Sequence, residues 1–370
     1  MAYLLVTLNH FKVVQAWANR AGAEVTLDVK TFELEVKAQH RFYKLFPQFF
    51  SVHGGQFGHS KALTDNSDGF IGWLPYRPVS WELATEKLVF KKFLVTAGEP
   101  TPRSWVDDEP VPMHFLLKRS RGSFGYDLSG PFRAGDKGSA PPLTNRANTS
   151  RIFAEQFIAG QNLKVWFWGG EAFHAHLHAY PSVQGDGSSS LAELIESRLS
   201  PWQRTLDDSP DMLAIRAALA FQHVALEQVL TQGHTVWLDY RYGRRYERDP
   251  TTAREDNALT RLSPEMRAQI LRVGHKLAQE LDASLKAPVL FSLDGVVDEQ
   301  QQIWWLEMNS NPVMPPAGYP LVFRSLFGSP LPDDLPTLRK PTDVVPSAAA
   351  QPAIQSSDLK SLFASMALPA

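Results

Sequence analysis

The stretch Ser292-Leu293-Asp294-Gly295-Val296-Val297, followed by Ile303-Trp304-Trp305-Leu306-Glu307-Met308-Asn309, decides how this chain is read. Both halves are rich in strand-forming residues, and residues 299–302 between them predict the loop of a hairpin. Side chains alternate along a strand, so Glu307 and Asn309 share a face. An antiparallel register that pairs 297 with 304 also pairs 294 with 307, which sets Asp294 opposite Glu307 on that face. Two carboxylates about 4 Å apart repel by roughly 4 kcal/mol at an effective dielectric near 20. Positive charge must sit between them. One source is a hard cation such as magnesium, which two carboxylates and an amide oxygen suit. The other is a Lys or Arg that bridges the pair.

Three stretches upstream carry further candidates. Met113-His114-Phe115-Leu116-Leu117-Lys118 reads as a strand that runs into Arg119-Ser120-Arg121-Gly122-Ser123-Phe124-Gly125. A lysine followed by a Gly/Ser turn can offer an ammonium and backbone N–H groups to phosphate oxygens, although many such turns are only turns. It is not a Walker A loop, because the lysine precedes the glycines. A helix begins at Thr85, with Leu88, Phe90, Phe93, Leu94 and Ala97 on its apolar positions; Gly98 caps it, and Pro100 and Pro102 stop it. Lys87 lies near that apolar face, either as a ligand or as a solvated lysine. Phe153-Ala154-Glu155-Gln156-Phe157-Ile158-Ala159-Gly160 is a strand that enters a turn. As an unpaired edge it would present backbone groups to a flat heterocycle; the alternative is a core strand.

In order and spacing these four stretches resemble the ATP-grasp superfamily, from about residue 84 to 320. The segment Thr85-Glu86-Lys87-Leu88 through Phe93-Leu94 to Ala97-Gly98-Glu99-Pro100-Thr101-Pro102 looks like that family's entry into its ATP lobe. Leu306-Glu307-Met308-Asn309-Ser310-Asn311-Pro312 is similar to its strand end. The resemblance implies an α/β (α+β) ATP-grasp fold with an N-terminal α/β lobe and two lobes that sandwich ATP. Lys87 and Lys118 would contact phosphates, under a loop carrying Gly122, Ser123 and Gly125. Glu155 and the backbone of Gln156, Phe157 and Ile158 would hold adenine, and Asn162 stands at the ribose position, where many members have an acid. Asp294, Glu307 and Asn309 would bind two magnesium ions, for which manganese can substitute. Two departures stand out. Arg119 follows the lysine where a proline is frequent, and Ser292 stands where several peptide ligases carry an arginine for the tetrahedral intermediate. Arg241, Arg244 and Arg245 are the candidates for that role.

The implied activity is an ATP-dependent ligase that activates a carboxylate as an acyl-phosphate for attack by an amine, with Lys118, Ser123 and Arg241 as catalytic candidates. Its substrates would be an amino acid or peptide carboxylate and an amine. The alternatives are a phosphotransferase on the same ATP lobe, an ester- or amide-forming peptide macrocyclase, and a non-catalytic nucleotide sensor. Trp304-Trp305-Leu306-Glu307 resembles tubulin–tyrosine-ligase-like enzymes, and Asn309-Ser310-Asn311-Pro312 resembles glutamate ligases that modify ribosomal proteins.

Composition agrees with such an enzyme. The 370 residues are 44% hydrophobic and 21% charged, globular proportions for two or three lobes. With 37 basic and 39 acidic residues, the charge balance gives no reason to expect nucleic acid or a membrane as a partner. Cysteine is absent, which excludes disulfides, thiolate zinc sites and a cysteine nucleophile. No stretch approaches the roughly 20 apolar residues of a membrane span, and the apolar start lacks a signal peptide's basic region. A cytoplasmic enzyme is expected. The oligomeric state is open, and a dimer is compatible with the sequence.

Residues 3–8 predict a strand, residues 13–18 a helix ending near Gly22, and residues from 24 a second strand. This is a β-α-β opening with a parallel sheet. The lobe boundaries are expected at 1–84, 85–160 and 161–328. Residues 329–370, rich in Pro, Ala and Ser, read as a flexible tail with a short amphipathic patch at Leu359, Leu362, Phe363 and Met366. His174, His176 and His178 alternate on one strand face, as a metal pair, a cleft lining or an exposed face. Asp239-Tyr240-Arg241-Tyr242-Gly243-Arg244-Arg245-Tyr246 mixes Arg with Tyr in a loop suited to clamp a carboxylate or a peptide backbone.

Overall fold

A computed structural model of the chain describes residues 2–53, 56–60, 62–64, 67, 69–106, 111–122, 128–135, 150–199, 205–207, 209, 211–242, 257–285 and 287–329. It opens on a helix, α1 (Ala2–Ala21), and not on the expected strand. No Gly or Pro separates the apolar run at 3–8 from the helical pattern behind it, and a short apolar run fits either state until its length decides. His10, Val14, Trp17 and Ala18 are buried at helical spacing. Gly22 ends the helix at φ 62°, an angle glycine reaches without strain.

An antiparallel sheet follows: β1 (Glu24–Leu27), β2 (Leu34–Ala38), β3 (Arg41–His53) and β4 (Gln56–Ser60) in that order, with β5 (Gly69–Leu74) paired to β3. Every ladder in this lobe is antiparallel. The expected β-α-β unit with a parallel sheet is therefore replaced by a helix laid on a meander.

The chain continues through α2 (Glu82–Thr85) and α3 (Lys87–Thr96) into β6 (Ser104–Val106), β7 (Phe115–Arg119), β8 (Leu128–Phe132) and β9 (Ile152–Gln156), which form a sheet ordered β6-β9-β7-β8. Glu155 pairs with Ser104 on one side and Leu116 on the other. β9 is thus an interior strand, and the unpaired edge expected there is absent.

The third sheet is built from β10 (Gln161–Trp168) and β11 (Glu171–His178), joined by the Gly169-Gly170 turn. A small subdomain intervenes: β12 (Ser182–Gln184), α4 (Leu191–Glu196), α5 (Met212–Phe221) and β13 (Thr235–Trp237). Helix α5 stops at Phe221. His223 takes a left-handed φ of 58°, and the Gln222 amide bonds both the N–H and the C=O of Trp237, tying the helix end to β13. Then α6 (Pro264–Leu285) leads to β14 (Leu290–Val297), β15 (Ile303–Ser310) and α7 (Tyr319–Phe327), and the sheet order is β11-β10-β14-β15.

Packing crosses the expected lobe borders. Phe90 and Leu94 of α3 share a core with Leu163, Phe167, Phe291 and the buried face of α6. Val14 and Trp17 of α1 share another with Trp168, Leu290 and Phe323 of α7. Burial of these large side chains is the main stabilising term. Among the described residues no helix is long and apolar enough to cross a membrane. The expected tail and its amphipathic patch, from residue 330 onward, lie outside the described residues.

Two antiparallel sheets, one from β6–β9 and one carrying β14 and β15, face each other across a cleft. This α+β architecture is the one the ATP-grasp resemblance implies. Gly160 joins the two sheets where backbones nearly touch: a Cβ there would stand 2.1 Å from the Val297 carbonyl oxygen. Gly160→Ala is expected to destabilise the chain by at least the overpacking cost of about 1–3 kcal/mol. A denaturant midpoint unchanged from wild type would contradict this contact.

Candidate active site

The cleft encloses about 1000 Å³, its open mouth included, at the upper end of the roughly 300–1000 Å³ typical of small-molecule sites. Its walls bring together Lys87, Lys118, Gly122, Glu155, Gln156, Phe157, Ile158, Asn162, Arg241, Asp294 and Glu307. Eleven sequence candidates thus meet in one place. Ser123, Gly125, Arg244 and Arg245 lie outside the described residues.

The β14–β15 hairpin places Asp294 opposite Glu307, as the alternation requires. Near the turn the register is one residue shorter than expected, with Val297 opposite Ile303, and a bulge at Leu306 restores the Asp294–Glu307 pairing. Asn309 is two residues on, and its amide donates to Asp294 Oδ2 at 3.0 Å. Lysines supply the positive charge that the two carboxylates demand. Lys164 Nζ lies 2.6 Å from Asp294 Oδ1, and Lys87 Nζ lies 3.3 Å from Glu307 Oε2. Lys87, with its side chain 15% exposed, is not the solvated lysine of the alternative reading. Among the described residues no group of three His, Cys, Asp or Glu could hold a metal ion, so a divalent ion here would need the Asn309 amide as its third protein donor. The donor set, two carboxylates and one amide oxygen, fits a hard cation.

Lys164 was not read from the sequence. It is cross-strand to both His176 and Asp294, so His176, Lys164, Asp294 and Glu307 form one row across four strands. Its ammonium also lies 5.6 Å from the Trp166 ring centroid and 5.2 Å from that of Tyr242, within cation–π range.

Glu155 differs from its expected role beside adenine. Its side chain is 1% exposed and clamped between two lysines: Lys91 Nζ is 2.7 Å from Oε2, and Lys118 Nζ is in contact with Oε1. Burial pushes the Glu155 carboxyl up, but Lys118 and Lys91 more than offset this and hold it below the usual range. Burial pushes the Lys91 ammonium down against the pull of Glu155. The helix signal could have found Lys91, since it stands four residues after Lys87 on the same helix face.

The start of the Gly/Ser loop is fixed by Glu86, the N-cap residue of α3. Glu86 Oε2 accepts from the Ser120 hydroxyl (3.1 Å) and Arg121 Nε (3.0 Å). The Lys87 N–H donates to the Ser120 carbonyl, and its ammonium to that of Gly122. At the end of β9, the N–H groups of Gln156 and Phe157 are used inside the protein, by the carbonyls of Arg103 and His114. The Ile158 carbonyl accepts from Tyr180. The Phe157 ring stacks on Trp237, and the Asn162 amide donates to the Tyr240 carbonyl. Arg241 reaches the cleft wall, but its Nε and Nη2 are held by Asp239 and Asp211. Ser292 is fully buried.

His174 and His176 are buried, 3% and 1% exposed, which overturns the exposed-face reading. Their Nε2 atoms are 3.0 Å apart, and His176 Nδ1 bonds the Tyr242 hydroxyl at 2.7 Å. Burial lowers the pKa of His174 to about 3, and it does the same to His10 under α7. Both are therefore neutral in the fold. Between pH 6.5 and 3 the unfolded chain takes up protons that the folded chain refuses, so stability falls as pH falls through that window. At pH 5 the loss is expected to be ~2 kcal/mol for each histidine. Denaturant melts at pH 7 and pH 5 check it: His174→Gln should show a smaller drop than wild type, and equal drops would refute the assignment.

No protein-family model matches the chain, and no curated protein matches it. Among solved structures it is similar to a bifunctional glutathione synthetase from Pasteurella multocida, at 15% identity over 87% of this chain and 44% of that one, with a TM-score of 0.42. It is similar also to the D-alanine–D-alanine ligase from Bacillus anthracis, at 14% identity over 64% and 59%, with a TM-score of 0.34. A third is the D-cycloserine synthetase DcsG, at 16% identity over 63% and 64%, with a TM-score of 0.31. The chain thus spans less than two thirds of each of these proteins. Likenesses this distant carry no weight for the function, which rests on the residues of the cleft.

Proposed function

We propose that this chain is an ATP-grasp enzyme, an ATP-dependent carboxylate–amine ligase that forms an amide with release of ADP and phosphate. The observation that carries the reading is the convergence of Lys87, Lys118, Asp294 and Glu307 on one cleft between two sheets, with Asn309 bonded to Asp294. ATP would lie with its adenine toward the segment 156–158 and Phe157, and its phosphates toward Lys118, Lys87 and Gly122. The Glu155 carboxylate is engaged by lysines, so adenine would be read by backbone groups, among them the Ile158 N–H.

Asp294, Glu307 and Asn309 would hold magnesium, which, when bound, neutralises phosphate charge during transfer. Lys87 and Lys118 would add fixed positive charge around the transferring oxygens, where charge spreads. A carboxylate oxygen attacks the γ-phosphorus and the bond to ADP breaks, giving an acyl-phosphate. The amine nitrogen then attacks the carbonyl carbon, phosphate leaves, and a proton is lost from nitrogen.

The test is ADP release from panels of acid and amine pairs. The ligase reading expects ADP formation that needs both an acid and an amine. ADP formation with a hydroxyl compound alone would favour the phosphotransferase, and no ADP with any panel would favour the sensor.

A further inference from the structure

Glu155 has two lysine partners, and they differ in what else they touch. Lys118 lines the cleft. Lys91 does not: its ammonium is also bonded to Thr101 Oγ1 (3.1 Å) and the Pro102 carbonyl (2.9 Å), with a side chain 5% exposed. The Thr101 hydroxyl donates to the Trp305 carbonyl at 2.8 Å, so its lone pair is what faces Lys91. The Trp305 N–H in turn donates to the Pro100 carbonyl. Lys91 is therefore held by the segment 101–102, which Thr101 ties to β15, the strand that carries Glu307, and it does not face the cleft.

We propose that Lys91 is a positioning residue, the resident counter-ion of Glu155 that lets Lys118 exchange Glu155 for a nucleotide phosphate. The proposal rests on the nucleotide reading of the cleft. Removing the sole partner of a buried charge is strongly unfavourable, because the charge left behind is neither solvated nor paired. With Lys118 alone, Glu155 would hold that lysine against any phosphate. With Lys91 fixed on its other oxygen, Glu155 stays paired when Lys118 leaves, and the exchange becomes accessible. Glu155 keeps Lys118 parked at the cleft until a ligand of higher negative charge arrives.

The experiment is a titration of the full chain with a non-hydrolysable ATP analogue and magnesium, for wild type, Lys91→Met, Lys91→Arg and the double variant Lys91→Met/Glu155→Gln. Lys91→Met is expected to weaken binding at least about tenfold, because Glu155 then retains Lys118. Lys91→Arg keeps the charge and should bind nearer to wild type. The double variant removes the trap with its counter-ion and should recover affinity to within about threefold of wild type. Denaturant melts beside the titrations separate the roles: a purely structural lysine would lose and regain binding in step with stability, whereas Lys91→Met is expected to bind weakly even where it is folded. The double variant, which buries no unpaired carboxylate, serves even if Lys91→Met folds poorly. Wild-type binding matched by Lys91→Met, or a double variant as weak as the single one, would overturn the proposal. If wild type itself binds no analogue, the nucleotide reading falls and this proposal falls with it.

Discussion

Glu307→Ala is expected to lower ATP-dependent turnover by about 10²–10³-fold or more, with Lys118→Ala at least as severe. Glu307 sits on β15 with its side chain 25% exposed toward the cleft, so its loss removes charge from the site and little apolar packing. Two consequences follow together. The hard-cation donor set drops from two carboxylates to one, and Lys87 loses its partner 3.3 Å away. Lys118→Ala removes a cationic group from the cleft wall while leaving Glu155 paired with Lys91. Rates of ADP release, beside thermal melts that show intact folds, check both. Full activity in both variants would mean that the reaction happens elsewhere.

The second large effect is on stability. Glu155→Ala is expected to cost about 3–5 kcal/mol, the usual penalty for breaking a buried ion pair by removing one partner. It leaves the ammonium groups of Lys91 and Lys118 side by side, 5% and 11% exposed, with no carboxylate between them. Glu155→Gln should cost less, because an amide oxygen still accepts from one lysine. Denaturant unfolding measures the difference. A loss below about 1 kcal/mol for the alanine variant, the level of an exposed pair, would mean that water reaches this triad.

Much of the third sheet was legible because its strands are long, largely apolar runs joined by short turns. The Asp294–Glu307 opposition follows from counting residues around one hairpin, and the Leu306 bulge leaves it intact. The first lobe was misread because residues 3–8 are apolar without a period long enough to separate strand from helix. In the site, local patterns made Lys87, Lys118 and the carboxylates candidates beside ordinary structural readings, and only the family resemblance drew them together. Neither found Lys164, whose partner Asp294 is 130 residues away and is met only through the β10–β14 ladder. The role of Glu155 was hidden for the same reason. That β9 lies inside its sheet, and that α3 brings Lys91 beneath it, are properties of long-range pairing. Arg241 lines the cleft, and no local signal showed that Asp211 and Asp239 would hold its guanidinium.

The central claim is that the cleft takes ATP with a divalent ion on the β14–β15 carboxylates. Calorimetric titration of the chain with a non-hydrolysable ATP analogue, with and without magnesium, tests it most directly. The account predicts binding that magnesium strengthens, and loss of that magnesium dependence in Glu307→Ala. Absence of binding in wild type under both conditions, or magnesium dependence unchanged in Glu307→Ala, would contradict it.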